Sequence, residues 1–213
     1  MSKKFVPMDY NRLAIKLFDH HAREYQEKYF DVTLYRESLD FLTRKMGDRD
    51  RVFEAGAGPG NLASYLLRAK PSLRYLATDL SPQMLDLARD NNPGLETANL
   101  DCRLITTLNQ SFECVISGFC IPYLNLHETR RFIRDAHSVL TRNGLLFLSW
   151  TGEDHDRAEL QYSSSGMRLF IHYHSCETIA SILHGLFETI HEKSYLSYNN
   201  IDTDQIIIAR KKS

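Results

Sequence analysis

Little in this sequence points to export, to a metal or to a polyanion. Its four cysteines, Cys102, Cys114, Cys120 and Cys176, include no CxxC pair, which fits neither a zinc site nor a dense disulfide framework. Free thiols in a cytoplasmic protein are the simplest reading. The longest uncharged stretch, residues 114–126, has 13 residues and holds Gly118, Pro122 and Asn125, whereas a membrane span needs about 20 mostly apolar ones. No apolar run follows Lys3 and Lys4, so no secretory signal is read there. Neither sign of charge is in excess: 26 basic and 27 acidic side chains leave −1. That balance argues against gripping a phosphate backbone, and a small-molecule partner fits better than nucleic acid or membrane, in a monomer or homodimer.

What is present is ordinary globular material. Hydrophobic residues make up 43% and charged residues 25% of 213, far from the composition of disorder. At roughly 150 residues per domain the length implies one domain with attachments.

From residue 51 onward short apolar runs alternate with amphipathic segments, as in strand–helix units of a parallel sheet. Residues 51–55 read as a first strand running into Gly56-Ala57-Gly58-Pro59-Gly60, and Leu62, Tyr65, Leu66 and Ala69 then mark one helix face, stopped by Pro71. Residues 74–78 form a second strand ending at Asp79; Ser81 caps and Pro82 opens the next helix, which carries Met84, Leu85, Leu87 and Ala88. A weaker third strand lies at 95–100. The fourth, 112–117, has the consecutive apolar Cys114-Val115-Ile116 expected of a strand covered on both faces. Asn125 and Glu128 predict a capped helix with Phe132, Ile133, Ala136, Val139 and Leu140 inward, closed by Asn143-Gly144 before a fifth strand at 145–150. Ser175 caps a last helix, followed by strands at 188–196 and 205–210.

Two regions fall outside this alternation. Residues 9–46 read as two helices, the second with Tyr35, Leu39, Leu42 and Met46 at helical spacing. Residues 151–174 form a polar excursion after a buried strand, where open α/β sheets bind their ligands. Gln161, Tyr162, Ser163 to Ser165, Tyr173 and His174 are substrate-pocket candidates by position. His172 and His174 fall on one strand face, as a metal pair would, but no third ligand has diagnostic spacing, so no metal is expected. His20-His21 read as solvated helix residues and Arg210-Lys211-Lys212 as a solvated tail.

The sharpest signal is Glu54-Ala55-Gly56-Ala57-Gly58-Pro59-Gly60 between strand and helix. Glycines let the backbone turn tightly and approach a cofactor. Two nucleotide-cofactor classes use such a turn, and spacing separates them. The dinucleotide fingerprint places a third glycine where Asn61 stands, and no Walker Lys with Ser/Thr follows.

Glu54 before the glycines, Asp79 ending the second strand and Asp101-Cys102-Arg103, eleven residues before Phe112-Glu113, together resemble the class I S-adenosylmethionine-dependent methyltransferases over about residues 51–150. The resemblance implies a Rossmann-like doubly wound α/β sheet of seven strands, mostly parallel with the last antiparallel. It implies S-adenosylmethionine as cofactor, with the glycine loop (Gly56, Gly58, Gly60) at the methionine end, Glu54 near the amino group, Asp79 on the ribose hydroxyls and Asp101-Cys102 at the adenine edge. Leu80, Met84 and Gly118 join that set, although Met84 fits the core equally well. Such acceptor roles suit carboxylates facing vicinal hydroxyls and amines.

Phe18-Asp19-His20-His21-Ala22-Arg23-Glu24-Tyr25 is similar to a Phe-Asp-x-x-Ala-x-x-Tyr segment that lies over the cofactor in small-molecule members. The chain then divides into a helical lid (1–50), a cofactor core (51–150), a substrate-covering insertion (151–174) and a final helix with two strands (175–213). Tyr25 and Tyr29 are expected along the methyl-transfer channel. Tyr29, Phe119, Tyr123, Tyr162 and Tyr173 are the substrate candidates, and Tyr25 and His174 the candidate bases. Glu113 replaces the family's usual Asp. Ser117-Gly118-Phe119-Cys120-Ile121-Pro122-Tyr123 lacks the Asn-Pro-Pro-Tyr sequence of nucleic-acid amino methylation. The expected reaction is methyl transfer to an oxygen or nitrogen of a small molecule. A non-catalytic cofactor-binding module and a nicotinamide-dependent oxidoreductase are the alternatives.

Overall fold

The computed structural model describes residues 11–162 and 166–212. Among them, α1 (Asn11–His20), α2 (Ala22–Tyr29) and α3 (Arg36–Lys45) precede β1 (Arg51–Ala55), α4 (Asn61–Ala69), β2 (Arg74–Asp79), α5 (Pro82–Asn91) and β3 (Glu96–Asn99). Then follow β4 (Phe112–Gly118), α6 (Leu126–Val139), β5 (Leu140–Glu153), β6 (Arg157–Tyr162), β7 (Arg168–Ser175), α7 (Cys176–Leu183), β8 (Phe187–Leu196) and β9 (Thr203–Lys211).

The main sheet runs β3-β2-β1-β4-β5-β9-β8, parallel through β5, with β9 antiparallel to both neighbours. This is the seven-stranded Rossmann-like arrangement expected from the sequence. Consecutive apolar residues in β4 serve two cores at once. Val115 packs with Phe53, Phe132 and Leu146 on one face, while Cys114 and Ile116 pack with Leu39, Leu66 and Phe147 on the other. Each such large side chain taken wholly from water contributes about 1.5–3 kcal/mol. Glu113 accepts from the Arg51 backbone amide and guanidinium at 2.8, 3.1 and 3.0 Å, clamping β1 to β4.

Helix starts follow their caps. Ser81 accepts from the Met84 amide with Pro82 in the first turn, Asn125 and Glu128 form a reciprocal capping box, and Ser175 accepts from the Thr178 amide.

Four expectations are corrected. The N-terminal region forms three helices, because the chain breaks at His21 and again at a 3-10 turn, Thr33–Tyr35. The excursion begins later than residue 151 and is built as strands: β5 extends to Glu153, and β6 and β7 pair antiparallel as a hairpin joined to it through Gly152 with His174 and Glu153 with Ser175. Helix α6 ends at Val139, and Asn143, at φ +63°, bends the strand that follows. Arg210 and Lys211 are strand residues, the latter donating to the Leu140 carbonyl at 2.7 Å. Ser163 to Ser165 and the first ten residues lie outside the described residues. No described helix is long and apolar enough to cross a membrane.

Candidate functional site

A cleft opens beyond the carboxyl ends of β1, β2 and β4. Its walls include Gly56, Gly58, Asp79, Leu80, Met84, Asp101, Cys102, Gly118, Phe119, Cys120 and Tyr123, so most of the expected cofactor residues converge on one space. Gly56, Gly58 and Gly60 all have positive φ, a conformation costly for any residue with a Cβ. A Cβ on Gly56 would also lie 2.9 Å from Cys120 Sγ. Gly60 does not line the cleft. A Cβ there would meet Asn92 Nδ2 at 2.6 Å and Ala88 at 3.2 Å, so it serves the packing of α4 on α5.

Asp79 ties the loop together. Its Oδ2 accepts from the Gly58 amide and its Oδ1 from the Ser81 amide, both at 2.9 Å. Burial raises its carboxyl pKa, and these amides oppose the rise. Glu54 is almost wholly buried, with Tyr75 Oη donating to Oε2 at 2.8 Å, and burial pushes its pKa up to about 8. Burial also raises Asp101, but hydrogen bonds from the Arg103 guanidinium and amide outweigh it and leave the carboxyl below its ordinary range. Arg103 also reaches Glu128 at 2.6 Å, so its charge is shared between Asp101 in the cleft wall and Glu128 behind it.

The N-terminal helices cover this cleft. Asp19 Oδ1 accepts from Ser81 Oγ at 2.8 Å and from the Gln83 amide at 3.1 Å, adding a carboxylate at the start of α5, where the helix dipole favours it. Asn61 Nδ2 donates to the Tyr29 carbonyl at 3.0 Å, and Asn91 Nδ2 to Gln26 Oε1 at 2.6 Å. Phe18 packs edge-on against Tyr25 and Tyr123, and Tyr25 lies 4.8 Å from Tyr29 between ring centres.

A second cavity shares Phe18, Tyr25, Gly56, Gly58, Gly118, Phe119 and Tyr123 with the first and extends outward past Tyr29 to Gln161, Leu169 and Ile171 of the hairpin and to Tyr198 and Asp204. Glu54 lines this cavity. Phe119, at φ +53°, stands at the junction.

Three candidates are placed elsewhere. His174 is 2% exposed, its Nε2 within 3.2 Å of Thr129 Oγ1 and 3.1 Å of the Leu124 carbonyl, and it lines neither cavity. Its ring staples the hairpin to the segment before α6. Tyr162 is 66% exposed at the hairpin tip. The Tyr173 hydroxyl is taken by Gln161 at 2.7 Å and Glu159 at 3.2 Å, with Arg157 over its ring. Tyr25 lines both cavities, but burial raises its phenol strongly, so it stays protonated near neutral pH. His172 and His174 stack at 6.4 Å, and among the described residues no group of three or more potential ligands is placed to hold a metal. Sequence reasoning missed Asn11, Ala14 and Ile15, whose apolar face had no recognisable partner, and Tyr35 and Asp204, which meet only through the fold.

Residues 52–144 match a family model described as a methyltransferase domain. The chain is 33% identical over 127 residues, 59% of its length, to a malonyl-[acyl-carrier protein] O-methyltransferase of Acetivibrio thermocellus. It spans 42% of that relative, and less than half the length of the next curated relatives. Among solved structures, a Burkholderia thailandensis 1,6-didemethyltoxoflavin-N1-methyltransferase, with its substrate and S-adenosylhomocysteine bound, superposes with a TM-score of 0.76 at 17% identity, covering 100% of this chain and 93% of that one. A magnesium protoporphyrin IX methyltransferase from Synechocystis with S-adenosylmethionine bound gives 0.73 at 16% identity over 99% and 100%. Residues 52–144 thus match a methyltransferase domain, and the chain as a whole has the fold of these solved methyltransferases.

Proposed function

We propose that this chain binds S-adenosylmethionine along the inner cleft and the adjoining Glu54 end of the outer cavity, and transfers its methyl group to an oxygen or nitrogen of a small molecule held in the rest of the outer cavity. One observation carries the reading: five carboxyl groups, Glu54, Asp79, Asp101, Asp202 and Asp204, line the joined cavities, and among the described residues no Lys, Arg or His lines either one. That charge pattern suits a cofactor bearing a sulfonium and an ammonium. It opposes the pyrophosphate of a nicotinamide dinucleotide, which needs positive or amide-rich surroundings.

When bound, the cofactor supplies a methyl group on a sulfonium leaving centre. The chain's own residues supply position and dryness. Asp79 accepts from vicinal hydroxyls while holding the Gly58 amide, Glu54 accepts from an ammonium, and Asp101 accepts from an amine with Arg103 fixing its orientation. Tyr25, Tyr29, Phe119 and Tyr123 exclude water from the junction where the nucleophile meets the methyl carbon. Tyr25, held protonated, positions by donating a hydrogen bond and does not act as a base.

The test is release of S-adenosylhomocysteine from methyl-labelled cofactor across a panel of small alcohols, phenols and amines. Label transferred to one class supports the reading. Tight cofactor binding without transfer to any member supports a non-catalytic module instead.

A further inference from the structure

The outer cavity ends on a buried carboxylate that the cofactor cleft does not use. Asp204, in β9, is 2% exposed and lines the cavity. Tyr35 Oη donates to its Oδ2 at 2.7 Å and Thr151 Oγ1 to its Oδ1 at 3.3 Å. Ser197 hydrogen-bonds it as well, and all three partners are neutral. Asp202 lines the same end, and no described cationic side chain does.

This carboxylate is remote from Glu54. Glu54 pairs with Ile116, Ile116 with Phe147, and Phe147 with Ile208, so three strand spacings separate β1 from β9. At about 4.8 Å each they amount to roughly 14 Å. Asp204 also sits beyond that level, opposite Thr151, further toward the carboxyl end of β5.

Aromatic rings surround the carboxylate. Tyr35 meets Tyr198 edge-on at 6.0 Å and lies 5.7 Å from Phe119, and both neighbours line the cavity. Leu169 and Ile171 of the hairpin complete an apolar wall. Ring faces attract cations and flat apolar bodies alike.

We infer that the outer cavity is an ammonium-anchoring subsite, and that the methyl acceptor is a small molecule carrying a protonated amine on a flat apolar body. The amine rests against Asp204 beside the Tyr35 and Tyr198 rings, and the body lies along Phe119, Leu169 and Ile171. An acid of the same shape meets Asp204 and Asp202 with no counter-charge and is rejected. This inference rests on the methyltransferase reading only in naming the ligand an acceptor.

Three probes of similar shape and different charge test it: 2-phenylethylamine, 2-phenylethanol and 3-phenylpropionate, each titrated calorimetrically into the full chain saturated with S-adenosylhomocysteine. The amine should bind at least tenfold tighter than the alcohol, and the acid should give no saturable heat. Asp204→Asn should reduce the amine-to-alcohol preference below threefold and leave S-adenosylhomocysteine affinity within twofold. If that variant does not fold, the wild-type comparison decides alone. The alcohol or acid matching the amine, or no probe binding to protein that binds S-adenosylhomocysteine, overturns the inference. Failure of S-adenosylhomocysteine itself to bind overturns the methyltransferase reading instead, and the same probe series on the free chain still tests the anchor.

Discussion

The Gly58 amide donates to Asp79 Oδ2 at 2.9 Å, so the loop after β1 and the acidic end of β2 form one unit. Asp79 holds the loop's backbone and presents its remaining acceptor capacity to the cleft. Asp79→Ala should therefore weaken S-adenosylhomocysteine binding ten- to a hundred-fold, about 1.4–2.8 kcal/mol. Calorimetry on a variant with native circular dichroism checks this, and unchanged affinity would remove Asp79 from the site.

Glu54 makes stability depend on pH. Its pKa rises by burial from 4.5 to about 8 in the folded chain, so the folded state holds a proton that the unfolded state has lost. The contribution is fully present below the unfolded value and is lost as pH rises through about 8. Urea unfolding of the cofactor-free chain between pH 5 and pH 8 should show this decline, and Glu54→Gln should flatten it. An identical slope in the variant contradicts the assignment.

His174 acts in the opposite direction. Burial lowers its pKa from the ordinary 6.5, opposed by the Leu124 and Ile121 carbonyls. The unfolded chain takes up the proton first, so stability is full above about 6.5 and falls as pH drops below it. His174→Gln should flatten that acid limb and leave S-adenosylhomocysteine affinity within twofold, because the ring lines neither cavity. A large loss of affinity would return His174 to the site.

Two glycines separate backbone strain from collision. Gly94, at φ +87°, has nothing within 4 Å of an added Cβ, whereas Gly56, at φ +63°, would press on Cys120 Sγ at 2.9 Å. Gly94→Ala should cost about 1 kcal/mol and Gly56→Ala about 2–3 kcal/mol by chemical denaturation. Equal costs would mean that Cys120 moves freely.

Much of the fold was legible because its signals are local. Cys114-Val115-Ile116 had to be buried on both faces, and the caps at Ser81, Asn125 and Ser175 begin their helices as expected. Glu54, Asp79 and Asp101 stood at matching strand ends and meet in one cleft or its extension. The β6–β7 hairpin was only partly legible: Ala158, Leu160 and Tyr162 alternate with Arg157, Glu159 and Gln161 at strand period, but nothing local showed that Arg157 pairs with Glu153 and Glu159, or Gln161 with Tyr173. His174 read as a pocket residue by sequence position, yet its side chain turns to Thr129, 45 residues earlier. Asp204 and Tyr35, 169 residues apart, carried no sequence signal of their meeting.

The central claim is that the acid-lined cleft takes a cationic adenosyl cofactor and refuses a dinucleotide. Separate calorimetric titrations of the full chain with S-adenosylmethionine and with NADH test it most directly. The account predicts saturable one-to-one binding of S-adenosylmethionine and none of NADH; saturable NADH binding with no S-adenosylmethionine heat would contradict it.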